Sequence, residues 1–320
     1  MKRPAVSDGP VFVTGGAGFV GATLVSQLLA AGRRVVVYDN FFTGARLSGA
    51  TGLSVVEGDV RDAGRLRSTL GDHAPTAIVH LAALHYIPYC DARPVDTIDV
   101  NVVGTQTLLE ACRETPVARF VFASSAAVYD VSAAPHGEDG RIAPQDVYGL
   151  SKRFGEEQVA AFHRQTGTPC VLARLFNVFG RGETNPHVIP EIIRQLRDHP
   201  DALQLGNLEA RRDYVHVTDV AAAVGLFLDS DVAGCRVYNV GSGESVSVAN
   251  IVRALETVLG HGIRMEQSPD KMRPVDRRNL QADNARLRAD FGWAPRVKLA
   301  DGLRDLLDEA PRTASANLRA

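Results

Sequence analysis

The sequence predicts an α/β fold: a doubly wound parallel sheet of the Rossmann kind, with a smaller, interleaved α/β substrate lobe toward the C-terminus. Three observations carry that prediction. Short apolar runs alternate with amphipathic helical stretches through the first half of the chain. The first of these runs empties into a glycine-rich turn that opens a helix. After Gly180 the periodicity loosens, and Pro186, Pro190 and Pro200 punctuate it, which marks a second lobe.

Composition narrows the field. The 320 residues are 45% apolar and 22% charged, ordinary for a globular chain long enough to bury a large core. A net charge of -2 gives no electrostatic reason to expect nucleic acid or an anionic membrane as partner. No run of eighteen apolar residues offers a membrane span. Met1 to Pro10 has Asp8 and no apolar stretch, so it reads as a short leader and not as a signal peptide. Four cysteines lie far apart without a CxxC pair, as expected of reduced thiols in a cytoplasmic protein. The histidines and cysteines show no zinc spacing, and no metal is expected.

Val11 to Thr14 reads as a strand buried on both faces, running into Gly15-Gly16-Ala17-Gly18-Phe19-Val20-Gly21 and then a helix through Leu24, Leu28 and Leu29. Missing side chains at Gly15, Gly18 and Gly21 let a pyrophosphate approach the backbone, and the helix start supplies N–H groups and positive potential. A second strand, Arg34 to Tyr38, ends at Asp39, eighteen residues past Gly21. A carboxylate there suits the ribose hydroxyls of NAD and repels the extra phosphate of NADP. Leu53 to Glu57 is a third strand, followed by Gly58-Asp59-Val60. Asp59 either reaches an adenine amino group or caps the helix beginning near Arg61. Ala77 to Leu81 and Arg119 to Ala123 follow as strands four and five, with an amphipathic helix from Val95 to Cys112 between them, and Cys170 to Ala173 is strand six.

Ligands in such sheets bind beyond the carboxyl ends of the strands. Ser124 and Ser125 sit there, and Tyr148 opens the next helix. Tyr148 and Lys152 fall one turn apart on one helix face. A nearby ammonium favours the phenolate, so the pair is expected to act as a general base near neutral pH.

The chain resembles the extended short-chain dehydrogenase/reductase family, and within it the NAD-dependent nucleotide-sugar epimerases and dehydratases. The likeness rests on TGGAGFVG (Thr14 to Gly21), Asp39, GDV (Gly58 to Val60), HLAA (His80 to Ala83) and NVVGT (Asn101 to Thr105). It continues through SSAAVY (Ser124 to Tyr129), YGLSK (Tyr148 to Lys152), RLFNVFG (Arg174 to Gly180), RRDYVHVTDV (Arg211 to Val220), Arg273 to Asp276 and GWAP (Gly292 to Pro295). The resemblance implies NAD bound by Gly15, Gly18, Phe19, Val20, Gly21, Asp39, Asn40, Asp59, Val60, Leu81, Ala82, Ala83, Tyr148 and Lys152. It implies Tyr148 as the acid/base, Lys152 on the nicotinamide ribose, and Ser125 as the residue that relays the substrate hydroxyl's proton. It also implies that Asn177, Arg212, Arg273 and Asp276, with Ser125 and Tyr148, contact a nucleotide sugar. Asn177 has an alternative role in ordering its turn, and the two arginines as exposed surface residues.

The residues before Tyr129 separate the family's activities. Dehydratases of this kind carry a Thr-Asp-Glu run there, and the pentose-forming decarboxylases a Glu. This chain has Ala126 and Ala127, which cannot transfer a proton. Oxidation and re-reduction at one carbon remain, and SSAAVY looks like the UDP-glucose 4-epimerase group. The expectation is a 4-epimerase of a UDP-hexose or UDP-hexuronate. A 4-keto-sugar reductase or a dehydratase stands as the alternative, and a non-catalytic NAD sensor as a remote one.

Residues 1–176 are expected to form the NAD domain, with 213–250 returning to it, and 177–212 and 251–320 the nucleotide-sugar lobe. A helix near Ile189 to Arg197, a cap at Thr218, a strand at Arg236 to Val240 and helices at Ile251 to Leu259 and Leu303 to Leu307 complete the second half. Trp293 is expected in the core. Leu84 to Cys90 is bulkier than in relatives, with Cys90 where they carry Ser, and Asp130 stands where they favour Gly. The helices Val95 to Cys112 and Tyr148 to Gln165 correspond to those that pair subunits in this family, which implies a homodimer.

Overall fold

The structure, a computed structural model, describes residue 6 and residues 9–47, 49–272 and 277–309, in two compact units. The first unit is built on parallel strands. β1 (Val11–Thr14) leads into α1 (Phe19–Ala30), then β2 (Val35–Asp39), β3 (Leu53–Glu57), α2 (Ala63–His73) and β4 (Ala77–His80). In the bulky stretch after β4, residues 84–86 have no regular structure and α3 (Ile87–Ala92) follows, with Cys90 fully buried. α4 (Pro94–Ile98) continues through a π-helical turn, Asp99–Val103, into α5 (Gly104–Glu114). β5 (Arg119–Ser125), α6 (Val147–Thr166) and β6 (Cys170–Leu175) follow.

Beyond β6 the chain enters the second unit with β7 (Asn177–Phe179), α7 (Val188–Asp198), β8 (Ala202–Leu205) and β9 (Arg211–His216). α8 (Val217–Leu228) and β10 (Cys235–Val240) carry it back. β11 (Ser245–Ser247), α9 (Val248–Leu259), β12 (Arg264–Gln267), β13 (Asn279–Leu280), α10 (Ala285–Phe291) and α11 (Leu299–Leu307) complete the second unit.

The large sheet has the strand order β10-β6-β5-β4-β1-β2-β3. Progression reverses between β1 and β4, both paired to each other in parallel, and a doubly wound sheet opens its ligand crevice at such a point. β1, β2, β4 and β5 are buried along their whole lengths, which explains their near-continuous apolar runs. Phe12, Tyr38, Ile78, Leu108, Phe120, Phe122 and Phe162 make the core, each burial contributing about 2 kcal/mol. Helix α6 lies unusually close to the sheet. A Cβ on Gly155 would overlap the Phe122 ring, and one on Gly149 would lie 2.5 Å from the Ala127 carbonyl oxygen.

In the second unit β9 is the centre, paired with β7, β11 and β13. Its core joins Phe179, Ile189, Ile192, Leu203, Ile251, Leu255 and Leu303. Trp293 is buried, its indole N–H donating to the Asp219 carbonyl at 3.2 Å.

Three expectations are corrected here. The segment returning to the first unit is Ala221–Tyr238 and not 213–250. Residues 213–220 and 239–250 belong to the second unit because of Asp213. Its Oδ1 accepts from the Ser242 amide and hydroxyl, and its Oδ2 from the amides of Gly243 and Ala282. Val131–Gly140 also joins that unit, held by Asn239, whose Nδ2 donates to the His136 carbonyl and whose amide donates to Glu138. Thr218 is not the cap of α8. It lies inside the first turn, and its amide donates back to His216 Nδ1. Asp130, by contrast, needs no glycine geometry: its φ is not positive, and its backbone pairs with Arg141.

Candidate active site

The strand ends of the first unit supply a row of groups. At the end of β1, Gly15 has φ 68°, and a Cβ there would strike the Ala82 amide at 2.6 Å. A Cβ on Gly21 would overlap the Gly15 carbonyl, so turn and helix interlock only without side chains. Gly18 is different. A Cβ there would meet only the Gly15 carbonyl at 3.3 Å, so its outer side is open. Gly18 also begins α1 without a side-chain cap, and the first turn carries no acidic residue. The leading N–H groups of α1, from Phe19, Val20 and Gly21, have no acceptors within the helix, which makes an anion cradle.

Asp39 closes β2, nearly buried. Its Oδ2 accepts from the Ala17 amide at 2.9 Å and its Oδ1 from Phe41 at 2.8 Å, tying the glycine turn to the second strand. Burial pushes this carboxyl up, and the two amides oppose the shift. Each oxygen keeps lone-pair capacity for a diol beside the cradle. Asn40 is exposed and donates to Asp59. Asp59 serves neither as the cap of α2 nor as an uncommitted acceptor. Asp62 caps that helix by accepting from the Arg65 amide, whereas Asp59 is gripped by Arg61 through Nε and Nη2. That grip holds its carboxyl down to about 2. Val60 is buried beside it, and Leu81, Ala82 and Ala83 follow β4, half-buried.

The phenol stands where β5 ends. Asp146 caps α6, its carboxylate accepting from the Gly149 amide at 2.6 Å. Asp91 of α3 accepts from the Val147 amide at 3.4 Å. Tyr148 is therefore fixed on the first turn, with Ser125 close enough to its phenol to oppose the rise in its pKa. Ser125 Oγ also accepts from the Ala127 amide at 3.1 Å, closing the 3₁₀ turn Ala126–Val128. Lys152, one turn on and 4% exposed, donates from Nζ to the Ala123 carbonyl at 2.9 Å, 5.9 Å from the Tyr148 ring centre.

The protein groups around the phenol oppose the expected lowering of its pKa. Burial pushes Tyr148 well above its ordinary value; the Ser125 hydrogen bond opposes that, and Cys90 and Asp146 add to it. Burial likewise pulls the Lys152 ammonium down to about 8. Both shifts have one cause, since burial disfavours whichever form is charged.

Several positioning residues escaped the sequence reading. Asn101 sits in the π-helical turn, exchanges hydrogen bonds with both backbone groups of Leu84 and donates to Ser151 Oγ, which donates to the Tyr148 carbonyl. His80 is buried between Thr14 and Thr105, at 2.6 and 2.9 Å. Burial and the charge of Lys152 hold its imidazole down to about 3, so it is neutral. Asn101 and His80 both lay within quoted motifs, NVVGT and HLAA, and their spacing alone gave them no partner.

In the second unit Asn177 opens β7 opposite Tyr214 of β9, and Arg212 precedes it on β9, so these two come from neighbouring strands. Both are half-buried. Arg212 Nη1 donates to the carbonyls of Arg211 and Arg277, at 2.8 and 2.7 Å. Arg273 and Asp276 lie outside the described residues.

A sheet that ends in a phosphate cradle on one side of its crevice and a phenol paired with a lysine on the other belongs to the dinucleotide-dependent dehydrogenase-like enzymes. Its relatives narrow that class: residues 11–241 match the NAD dependent epimerase/dehydratase family, and the chain belongs to it. The chain is 32% identical over 301 residues to a UDP-glucose 4-epimerase of Corynebacterium glutamicum, spanning 89% of this chain and 90% of that protein. Among solved structures it is similar to the Thermus thermophilus UDP-glucose 4-epimerase in complex with NAD. The TM-score is 0.85 and the identity 33%, over 93% of this chain and 98% of that one. MoeE5, solved with UDP-glucuronic acid and NAD, matches at TM-score 0.84 and 31% identity, over 94% and 98%. NAD is the cofactor of the family, and the open Gly18 side, the uncapped start of α1 and Asp39 fit it.

Proposed function

We propose that this chain interconverts C4 epimers of a UDP-sugar, a hexose or hexuronate, through a transient 4-keto sugar. The observation that carries the reading is the pairing of the Tyr148 phenol with Ser125 beside Ala126 and Ala127. The turn offers one proton-transfer pair and no second acid, which is what epimerisation needs and dehydration does not satisfy. The names of the similar enzymes support the same reading.

NAD, when bound, would supply a reversible hydride acceptor and a positive charge that favours the phenolate. Tyr148 takes the proton of the C4 hydroxyl and returns it to the keto oxygen, and Ser125 holds that oxygen in line. Lys152 holds the ribose. Asn177, Arg212, Arg273 and Asp276 grip the nucleotide diphosphate and its ribose, guanidinium forks being suited to phosphate. A 4-keto-sugar reductase draws on the same raised phenol as proton donor, but it would release its cofactor each turn. Retention of NAD through purification favours the epimerase.

The chain acts as a homodimer in this reading. Val95, Val103, Leu150 and Phe154 are exposed apolar residues on α4, the π-helical turn and α6, which pack together and present a face for a second copy. All four cysteines are free thiols, which supports a reducing cytoplasmic setting, and no helix among the described residues is long and apolar enough to cross a membrane.

The test is incubation with a panel of UDP-hexoses and UDP-hexuronates without added NAD, followed by chromatography and mass measurement. An isomer of unchanged mass is expected. A product lacking water or carbon dioxide overturns the reading.

A further inference from the structure

We infer that Glu156 and Arg174 form a positioning pair that sets Ser125 against Tyr148, and that this, not stability, is their role. The inference rests on the proposed proton-transfer pair. Glu156 lies eight residues after Tyr148, two turns down the same face of α6. It is 1% exposed and Arg174 3%. Glu156 Oε1 accepts from Ser124 Oγ at 2.6 Å and from Arg174 Nε at 2.7 Å. Its Oε2 accepts from Arg174 Nη2 at 2.8 Å and Arg153 Nη1 at 3.2 Å. Arg174 Nη1 donates to the Tyr129 hydroxyl at 2.9 Å, and the guanidinium lies 4.8 Å from that ring's centre.

The pair therefore clamps both ends of the segment bearing Ser125. Ser124 is its neighbour before, and Tyr129 closes the 3₁₀ turn after it. The clamp is anchored on α6, the helix that carries Tyr148. Ser125 and Tyr148 are thus referenced to one rigid fork. Burying two charges is an inefficient way to gain stability, because desolvation cancels most of the attraction, and apolar residues of equal volume often serve as well. A bidentate fork does fix geometry, to which proton transfer is sensitive.

The experiment replaces both charges while keeping volume, Glu156→Met with Arg174→Met, and separately removes one hydroxyl, Ser124→Ala. The paired variant is expected to retain NAD and the wild-type melting temperature. Its kcat should fall about tenfold or more with KM within about twofold. Ser124→Ala should lower kcat by about threefold, again without loss of NAD. In crystals of the paired variant, Ser125 Oγ should move relative to the phenol. Wild-type kcat in Ser124→Ala together with either wild-type kcat or failure to fold in the paired variant overturns the inference, as does an unchanged Ser125–Tyr148 distance. A wild-type enzyme that interconverts no UDP-sugar would instead defeat the proposed function, leaving the crystallographic distance to judge the positioning role.

Discussion

Lys152 in the first unit and Arg212 in the second are both cations proposed to meet the ligand, and they are held by different means. Lys152 is sealed at the end of β5, with one backbone carbonyl as its acceptor, and burial pulls it down to about 8. Arg212 is half-buried on a short strand, braced by two carbonyls. Around Lys152 the frame is a sheet whose register is fixed by buried strands. Around Arg212 it is a small sheet paired on β9, to which one carboxylate, Asp213, ties four donors from distant chain segments. Chemistry is placed on the rigid frame, where charge can be desolvated and titration shifted. Grip is placed on a frame assembled by side-chain hydrogen bonds.

Breaking each frame at its centre gives the largest effects. Tyr148→Phe should lower kcat by about a thousandfold while bound NAD and melting temperature stay as in the wild type, measured by turnover and by cofactor release on denaturation. Asp213→Ala should leave the phenol's environment alone and destabilise the second unit by about 3 kcal/mol, because its buried donors lose their acceptor. Chemical denaturation checks this, and an unchanged midpoint would remove Asp213 as the centre of that frame.

The pH dependence sharpens the contrast, since both groups are depressed and stability should rise with pH for each, but in separate windows, alkaline for Lys152 and acidic for Glu191. Lys152 is depressed in the folded state, so its ammonium opposes folding below about pH 8, and that cost disappears between about 8 and its unfolded value near 10. Stability of the wild type relative to Lys152→Met should rise by about 2 kcal/mol across that window. In the second unit Glu191 is held down to about 2 by Arg194, with Lys271 and Gln195 assisting. Its contribution is present above its unfolded value near 4 and is lost as pH falls toward 2, about 1 kcal/mol that Glu191→Gln should abolish. The smallest effects should be equal in the two units. Asp62→Ala on α2 and Ser247→Ala on α9 each remove a helix cap, costing about 1 kcal/mol by thermal denaturation.

The fold was readable where its cause is local. Apolar runs, the glycine turn and Asp39 report backbone geometry that neighbouring residues dictate, and the sheet follows them closely. The Tyr148 and Lys152 spacing was equally direct. What could not be read depends on residues far apart in sequence. Whether Leu84 to Cys90 is loop or helix is settled by packing on α6, and the boundary at Ala221–Tyr238 by the donors that Asp213 collects. Asp59 was left open between two roles; Asp62 takes the helix cap, and Arg61 holds the Asp59 carboxylate. Helix spacing shows the cation adjacent to Tyr148 but not the burial that raises the phenol. Glu156 was within reach: it continues the Tyr148 and Lys152 face by one more turn, and only its partner Arg174 lies elsewhere in the chain.

The central claim is that one proton-transfer pair serves oxidation and re-reduction at the same sugar carbon. Incubating a UDP-hexose deuterated at C4 without added cofactor tests this most directly. Full retention of deuterium at C4 in both epimers, with no label lost to water and no change in mass, is the predicted result. Washout of the label, or a dehydrated product, would contradict it.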